Sequence, residues 1–377
     1  MTLLPLLIIT LSTIQIDGSF TDWAEGELHH EDESYIYKII EVTTKSCLQQ
    51  LPEQKVVEIG DYTVFFSPKG KGYGVSCKLD DKWISPYEAG VVFAPTTAST
   101  KFELRVNKQN SNPKKPFSCV TKGDFRVVSW NVQFGNLLDD IERGTRILRA
   151  IKPDVLLIQE LGSNDTVDEF EEFLNESLEG TWHAIMTPVH GTKRHRQLRS
   201  AIATSLNISN VSTIENLKAI SCFTELEEEK INFYSLHLRC CGGPDSDAEK
   251  QRVEEAKKIK TSIENQNPTH LIVAGDWNLV GTTEPIDIVK TDELAVVNAY
   301  QPDGLLNATW SDVTSSFTPG RLDWMLYSPK TLKVVNCFVL DTADLDTNTL
   351  NNKNLSVEDT AELSDHLPLV ADFVFIK

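Results

Sequence analysis

The sequence predicts an α/β fold, two sheets packed face to face with helices outside, preceded by a small β-rich module. Three observations predict it. From residue 124 onward, short apolar runs alternate with stretches of helical period, the pattern of strands and the helices that cover them. Between residues 35 and 106 the runs are β-branched or aromatic, and turn residues rather than helical stretches separate them. The 377 residues allow two domains, and 40% hydrophobic with 24% charged side chains is the composition of a chain that folds.

In chain order, residues 1–16 are apolar around Leu3, Leu4, Leu6, Leu7, Ile8, Ile9 and Leu11, with small Gly18 and Ser19 following. The run is short for a bilayer span and predicts a signal peptide over residues 1–19, hence a secreted protein. No Lys or Arg precedes the run, and the alternative is a buried N-terminal strand. No later segment is long and apolar enough for a membrane helix. The acidic stretch 25–33 predicts a mobile N-terminus.

Residues 20–106 form the β-rich module, with strands expected at 35–42, 55–66, 73–79, 90–94 and 102–106. Turns separate them at Ser67-Pro68-Lys69-Gly70 and Ser85-Pro86. Residues 107–123 are polar and rich in Asn, Lys and Pro, and read as a linker. The module carries no catalytic constellation, so its role stays open between a binding surface and a structural extension. Over 124–377, strands are expected at 125–130, 154–159, 182–186, 200–206, 231–238, 270–274, 322–327, 334–340 and 367–375. Helices are expected over 137–151, over 166–178, and from a cap at Asp245 or Ser246 to about residue 264.

Six glycosylation sequons, at Asn164, Asn175, Asn207, Asn210, Asn307 and Asn354, fit export, as do seven cysteines. Cys47, Cys77 and Cys119 are candidates for stapling the module, and Cys240-Cys241 for bracing the strand before them. An odd count leaves one thiol over. The net charge of −19 is uneven: residues 124–377 hold 23 basic against 40 acidic side chains. Such a surface repels nucleic-acid backbones at long range and excludes a tight electrostatic DNA binder, though a bound cation reverses the local potential.

Chemistry-bearing residues fall at expected strand ends: Asn131, Glu160, His237, Asp276 with Asn278, Asp323, and Asp365 with His366. Strand ends that meet on one rim bring carboxylates, amides and imidazoles into one pocket, the set required for metal-assisted hydrolysis of a phosphate ester. Six segments carry these residues: Val128-Ser129-Trp130-Asn131-Val132, Leu157-Ile158-Gln159-Glu160, Leu236-His237-Leu238, Gly275-Asp276-Trp277-Asn278, Arg321-Leu322-Asp323-Trp324-Met325-Leu326 and Ser364-Asp365-His366-Leu367-Pro368-Leu369. In this order they resemble the successive motifs of the endonuclease/exonuclease/phosphatase superfamily, over essentially all of residues 124–377.

The resemblance implies a deoxyribonuclease I-like two-sheet sandwich and a metal-dependent phosphoric ester hydrolase. It implies Glu160 as principal metal ligand with Asn131 and Asp365 beside it, for Mg²⁺ or Mn²⁺, with Ca²⁺ a further option. Asp276 would position or activate water, Asn278 would contact the phosphate, and His366, held by Asp323, would stabilise the transition state. His237 would be a second imidazole near the scissile phosphate. The same core in this superfamily hydrolyses DNA, RNA, inositol phosphates and sphingomyelin, so it does not name the substrate. His237 stands where abasic endonucleases generally carry Tyr, which argues against an abasic-repair role.

The segment Lys193-Arg194-His195-Arg196-Gln197-Leu198-Arg199 is the one basic cluster of the domain. Arg194, Arg196 and Arg199 are candidates for gripping polynucleotide phosphates; the alternative is a solvated loop. The expected partner is a phosphodiester substrate, with nucleic acid first. A phospholipase C-type or phosphatase enzyme is the alternative, followed by a non-catalytic binding protein that works through the β module.

Overall fold

The computed structural model describes residues 13–68, 73–108, 117, 123–189 and 197–376. The acidic segment predicted to be mobile instead carries strand β1 (His29–Glu31), paired antiparallel with β2 (Tyr35–Ser46). Asp32 fixes the turn between them: its carboxylate accepts from the N–H of Ser34 and of Tyr35, both at 2.7 Å, and from the Tyr37 hydroxyl at 2.8 Å. The single strand expected over 55–66 is a hairpin, β3 (Lys55–Ile59) and β4 (Tyr62–Phe66), because Gly60 and Asp61 turn the chain. Strands β5 (Val75–Leu79), β6 (Lys82–Ile84), β7 (Val92–Ala94) and β8 (Ser99–Asn107) complete the module. They form two four-stranded sheets, β1-β2-β8-β7 and β3-β4-β5-β6, sharing one core that includes Ile40, Val64, Phe66, Phe93 and Phe102.

The module is tied to the rest of the chain by a second core. Ile14, Ile16, Trp23, Tyr35 and Tyr37 pack there with Leu305 and Leu306 of the larger domain. Ile16 N–H donates to the Leu305 carbonyl at 2.8 Å, so the last residues of the proposed signal pack like a strand. Glu103, fully buried, gathers this segment: it accepts from Trp23 Nε1 at 2.8 Å, Gly18 N at 2.7 Å and Asp17 N at 3.1 Å. Burial pushes the Glu103 carboxyl up to about 8 against those donors. A carboxyl with a raised folded pKa stabilises fully below the unfolded value. That contribution is lost as pH rises toward the folded one, at up to about 1.4 kcal/mol per pH unit. The urea midpoint is expected to fall more steeply between pH 5 and 8 in the native chain than in Glu103→Gln.

The larger domain opens with β9 (Phe125–Asn131), α1 (Asn136–Asp139), α2 (Ile141–Ile151), β10 (Val155–Leu161) and α3 (Val167–Ser177). The helix expected over 137–151 breaks at Asp140, whose carboxylate caps α2 by accepting from Arg143 N at 3.1 Å. Thr166 and Glu169 close a capping box on α3. Then come β11 (His183–Met186), β12 (Arg199–Thr204), β13 (Ile208–Thr213), β14 (Lys218–Leu226), β15 (Glu229–His237) and α4 (Asp247–Gln266), capped by Ser246. The chain continues through β16 (His270–Asp276), α5 (Glu284–Lys290), β17 (Ala295–Val296) and β18 (Asp323–Tyr327). It ends with β19 (Leu332–Val339), α6 (Thr347–Lys353), α7 (Asp359–Leu363) and β20 (Leu369–Phe375).

Two six-stranded sheets result, β11-β12-β10-β9-β20-β19 and β13-β14-β15-β16-β18-β17. Their inner faces meet in a core that includes Phe125, Ile202, Phe233, Ile272 and Phe373. The outer faces are covered by α2 and α3 on the first sheet and by α4 and α5 on the second. This is the α/β sandwich that the periodicity predicts.

The cysteines expected to pair are thiols where the structure describes them. Among the described residues no disulfide is present; Cys119 lies outside them. Cys47 donates to the Val280 carbonyl, Cys77 and Cys222 are buried apart, and the Cys240 and Cys241 sulfurs sit 2.9 Å apart as thiols. Of the sequons, the Asn307 side chain is buried and donates to the Asp17 carbonyl, while the other five are exposed.

Candidate active site

Strand register assembles the site. Lys218 pairs with His237, His237 with Asp276, and Asp276 with Asp323, so these four side chains lie in one row across β14, β15, β16 and β18. The close approach of β15 and β16 requires glycine before Asp276. Gly275 has φ +153°, and a Cβ there would meet the Leu236 carbonyl oxygen at 1.9 Å. The facing sheet supplies Asn131 at the end of β9, Glu160 on β10, and Asp365 with His366 just before β20. Glu160 sits where the β10–β12 register shifts, with φ +63°, so a bulge turns its carboxylate to the rim.

The polar atoms converge. His237 Nε2 lies 3.6 Å from Glu160 Oε1 and 3.6 Å from Asp276 Oδ2. Asn131 Nδ2 donates to Asp276 Oδ2 at 3.1 Å, and the Asn278 amide does so at 2.8 Å. Asn278 N–H donates to Asp276 Oδ1 at 2.9 Å, holding the carboxylate from both sides. His366 Nδ1 bonds Asp323 Oδ2 at 2.7 Å, leaving Nε2 3.8 Å from Asp276 Oδ2. Asp365 accepts from the Trp310 indole N–H at 3.0 Å.

Burial sets the charges. It raises the Glu160 carboxyl and pushes Asp276 up to about 7. It lowers His237 well below the ordinary imidazole range, helped by the positive charges of Lys218 and His366. Burial also works against charge on His366, but the Asp323 and Asp276 carboxylates outweigh it and push that imidazole up to about 10. One imidazole is therefore neutral and the other cationic at neutral pH. Replacing Asp323 with Asn removes the anion that orients and charges His366. Turnover is expected to fall by roughly 10² to 10⁴ with the melting curve little changed, measured by kinetics and calorimetry in parallel.

All eight motif residues named from the sequence, Asn131, Glu160, His237, Asp276, Asn278, Asp323, Asp365 and His366, are brought together here. Arg199 is not among them: its guanidinium donates to the Thr187 carbonyl at 2.8 Å and the Asp165 carbonyl at 2.7 Å. Arg194 and Arg196 lie outside the described residues. Sequence reasoning missed Lys218, whose Nζ is 3.1 Å from His237 Nδ1. An ammonium there only donates, so Nδ1 accepts and Nε2 carries the proton toward Glu160 and Asp276. The signal for Lys218 is its place opposite His237 in the β14–β15 ladder, visible only once that pairing is known.

Two sheets back to back, with carboxylates, amides and one neutral and one cationic imidazole at a shared rim, define a class: deoxyribonuclease I-like hydrolases of phosphate esters. The sequence model of the Endonuclease/Exonuclease/phosphatase family matches residues 128–366, and the chain belongs to that family. Among solved structures it is similar to the human Nocturnin catalytic domain with bound sulfate anion, at 22% identity over 68% of this chain and 96% of that one, TM-score 0.48. It is also similar to the endonuclease/exonuclease/phosphatase from Bacteroides vulgatus, at 16% identity over 67% of this chain and 99% of that one, TM-score 0.49. A family protein from Leptotrichia buccalis C-1013-b is similar at 17% identity over 66% of this chain and 99% of that one, TM-score 0.48. No curated protein matches the chain.

Proposed function

We propose that the chain is a divalent-metal-dependent phosphodiesterase that hydrolyses DNA or RNA by in-line attack of water. The observation that carries this reading is the joining of Glu160, His237 and Asp276 with the Asp323–His366 pair on one rim. Polar side-chain atoms of Glu160, His237 and Asp276 lie within 4.8 Å of one another, as do those of Asp276, Asp323 and His366; both imidazoles turn an Nε2–H into the site, so the carboxylates are the donors for a metal. The donor set fits a hard cation: the Glu160 carboxylate is 13% exposed and the Asp365 carboxylate adds oxygens near it, while the Asn131 amide turns its N–H toward Asp276 and its oxygen to Gln133 N–H. Mg²⁺ or Mn²⁺ held there would neutralise charge on the phosphoryl oxygens.

The protein's own groups supply the rest. Asp276, fixed by the Asn131 and Asn278 amides, orients water and accepts its proton. His366, held by Asp323, directs its cationic Nε2–H at a phosphoryl oxygen in the transition state. His237 offers Nε2–H from the other side, its tautomer fixed by Lys218. The test is a panel of plasmid DNA, RNA, sphingomyelin and inositol phosphates with Mg²⁺, Mn²⁺ or Ca²⁺, with His366→Ala as control. Nucleic-acid cleavage lost in the variant supports the reading. Phosphocholine or inorganic phosphate release alone moves the enzyme to the phospholipase or phosphatase class. Silence from a folded protein contradicts all three.

Export is part of this proposal, and the five exposed sequons support it; the packing of Ile14 and Ile16 and the bonds of Asp17 and Gly18 to Glu103 favour a cleavage before Ile14 over one near Gly18. Glycosylated protein recovered from the medium is the expected result; an unglycosylated, cell-retained chain contradicts it.

A further inference from the structure

The β module forms a wall of the candidate active site. A cavity of about 1050 Å³ holds Glu160, His237, Asp276 and His366 at its base, and Gln49, Gln50, Tyr73 and Thr96 of the module line the same cavity. The wall is fastened rather than merely adjacent. Gln49 Oε1 accepts from Thr318 N at 2.7 Å, and the Tyr87 hydroxyl donates to the Phe317 carbonyl at 2.7 Å. Val75 N donates to the Ser316 carbonyl at 2.7 Å, and Thr96 Oγ1 accepts from Arg321 N at 3.0 Å. At Gly74 the chains approach so closely that a Cβ would lie 2.6 Å from the Ser316 carbonyl oxygen. The module thus pins the segment that runs from Trp310, bonded to Asp365, to Asp323, bonded to His366.

The chemistry of this cavity narrows what enters it. Tyr73, Phe134, Trp310 and Phe317 give it aromatic walls, and the Tyr73 side chain stands 61% exposed at the module's edge. Its described lining has three cationic side chains, Lys218, Arg239 and His366, against four carboxylates: Glu160, Glu255, Asp276 and Asp365. A site that tracked a long polyanion would neutralise many phosphates with Lys and Arg. The size lies just above the range of pockets that enclose one small organic ligand, roughly 300–1,000 Å³.

Building on the phosphodiesterase reading, we infer that the module makes the enzyme selective for a single phosphodiester bearing an unpaired nucleobase, with Tyr73 as the stacking, specificity-determining residue. A small nucleotide ester and the frayed end of a single strand present this same chemistry; a paired duplex does not, because its bases are stacked on one another.

The test uses the full-length protein and two chromogenic esters that differ only in the nucleoside: thymidine 5′-(4-nitrophenyl phosphate) and methyl 4-nitrophenyl phosphate. A single-stranded oligonucleotide and its duplex form the second pair, and equilibrium binding of thymidine 5′-phosphate is read separately. The ratio of kcat/KM for the thymidine over the methyl ester is expected to fall roughly 5- to 150-fold in Tyr73→Ala and to persist in Tyr73→Phe. The Kd for thymidine 5′-phosphate is expected to rise by the same order in Tyr73→Ala. Single strands are expected to be cut at least about 10-fold faster than the duplex. Tighter equilibrium binding of the single-stranded oligonucleotide than of thymidine 5′-phosphate assigns the strand end as source, and the reverse assigns the free nucleotide.

Hydrolysis of both esters with a ratio indifferent to Tyr73, or duplex cut as fast as single strand, overturns the inference and leaves the phosphodiesterase reading standing. Tyr73-dependent binding of thymidine 5′-phosphate without hydrolysis of any ester overturns that reading and keeps the recognition. Neither binding nor hydrolysis overturns both.

Discussion

Replacing Glu160 with Gln is expected to lower kcat for a phosphodiester by about 10³-fold or more and to leave the fold in place. The substitution keeps size and shape, so the bulge that carries residue 160 at φ +63° is not further strained. What it removes is a carboxylate that burial has already made costly to ionise and that faces His237 at 3.6 Å. On the proposed reading that carboxylate is a hard metal ligand, so the apparent affinity for Mn²⁺ is expected to fall together with kcat. Kinetics over a metal titration, with a thermal melt of the same sample, separate the two effects. A variant that loses turnover but binds Mn²⁺ as before would move Glu160 from ligand to proton-handling group.

Asp372→Ala is expected to cost about 3–5 kcal/mol of stability. Asp372 and Arg126 are both fully buried. Their carboxylate and guanidinium meet side on, Nε to Oδ1 at 2.6 Å and a terminal nitrogen to Oδ2 at 2.8 Å. The same guanidinium donates to the Ile151 carbonyl, and Asn336 donates to Asp372 at 2.9 Å. The pair joins β9 to β20, the strands that deliver Asn131 and Asp365–His366 to the site. Truncating one partner leaves an uncompensated buried charge, whereas replacing both with apolar residues of similar volume removes the charge along with its partner. The double variant Arg126→Met/Asp372→Leu should therefore recover most of the loss in urea midpoint. A double variant as unstable as Asp372→Ala contradicts the ion-pair account.

Much of the larger domain was legible because its signals are local. Apolar runs of strand length ended at Asn131, Glu160, His237 and Asp276, and a pleated strand delivers its last polar residue to the sheet's rim whichever neighbour it acquires. The helix expected from Thr166 was legible in the spacing of Val167, Phe170, Leu174 and Leu178, and it starts there on a capping box made within four residues. What stayed hidden is non-local. Lys218 gains meaning only from the register that sets it opposite His237. The wall built by the module depends on Gln49, Tyr73, Tyr87 and Thr96, which share no motif and reach their partners across more than two hundred residues. The expected mobile N-terminus failed for a related reason. Its acidic composition reads as solvated, but Asp32 uses its carboxylate to close a turn, and Trp23 finds a buried acceptor in Glu103.

The most direct test of metal-assisted phosphodiester hydrolysis at this rim is turnover of thymidine 5′-(4-nitrophenyl phosphate) by chelator-stripped protein as Mn²⁺ is added back, native chain beside Glu160→Gln. Activity absent without metal, restored in the native chain and about 10³-fold lower in the variant is the predicted result. Turnover that survives the chelator, or that Glu160→Gln leaves unchanged, contradicts it.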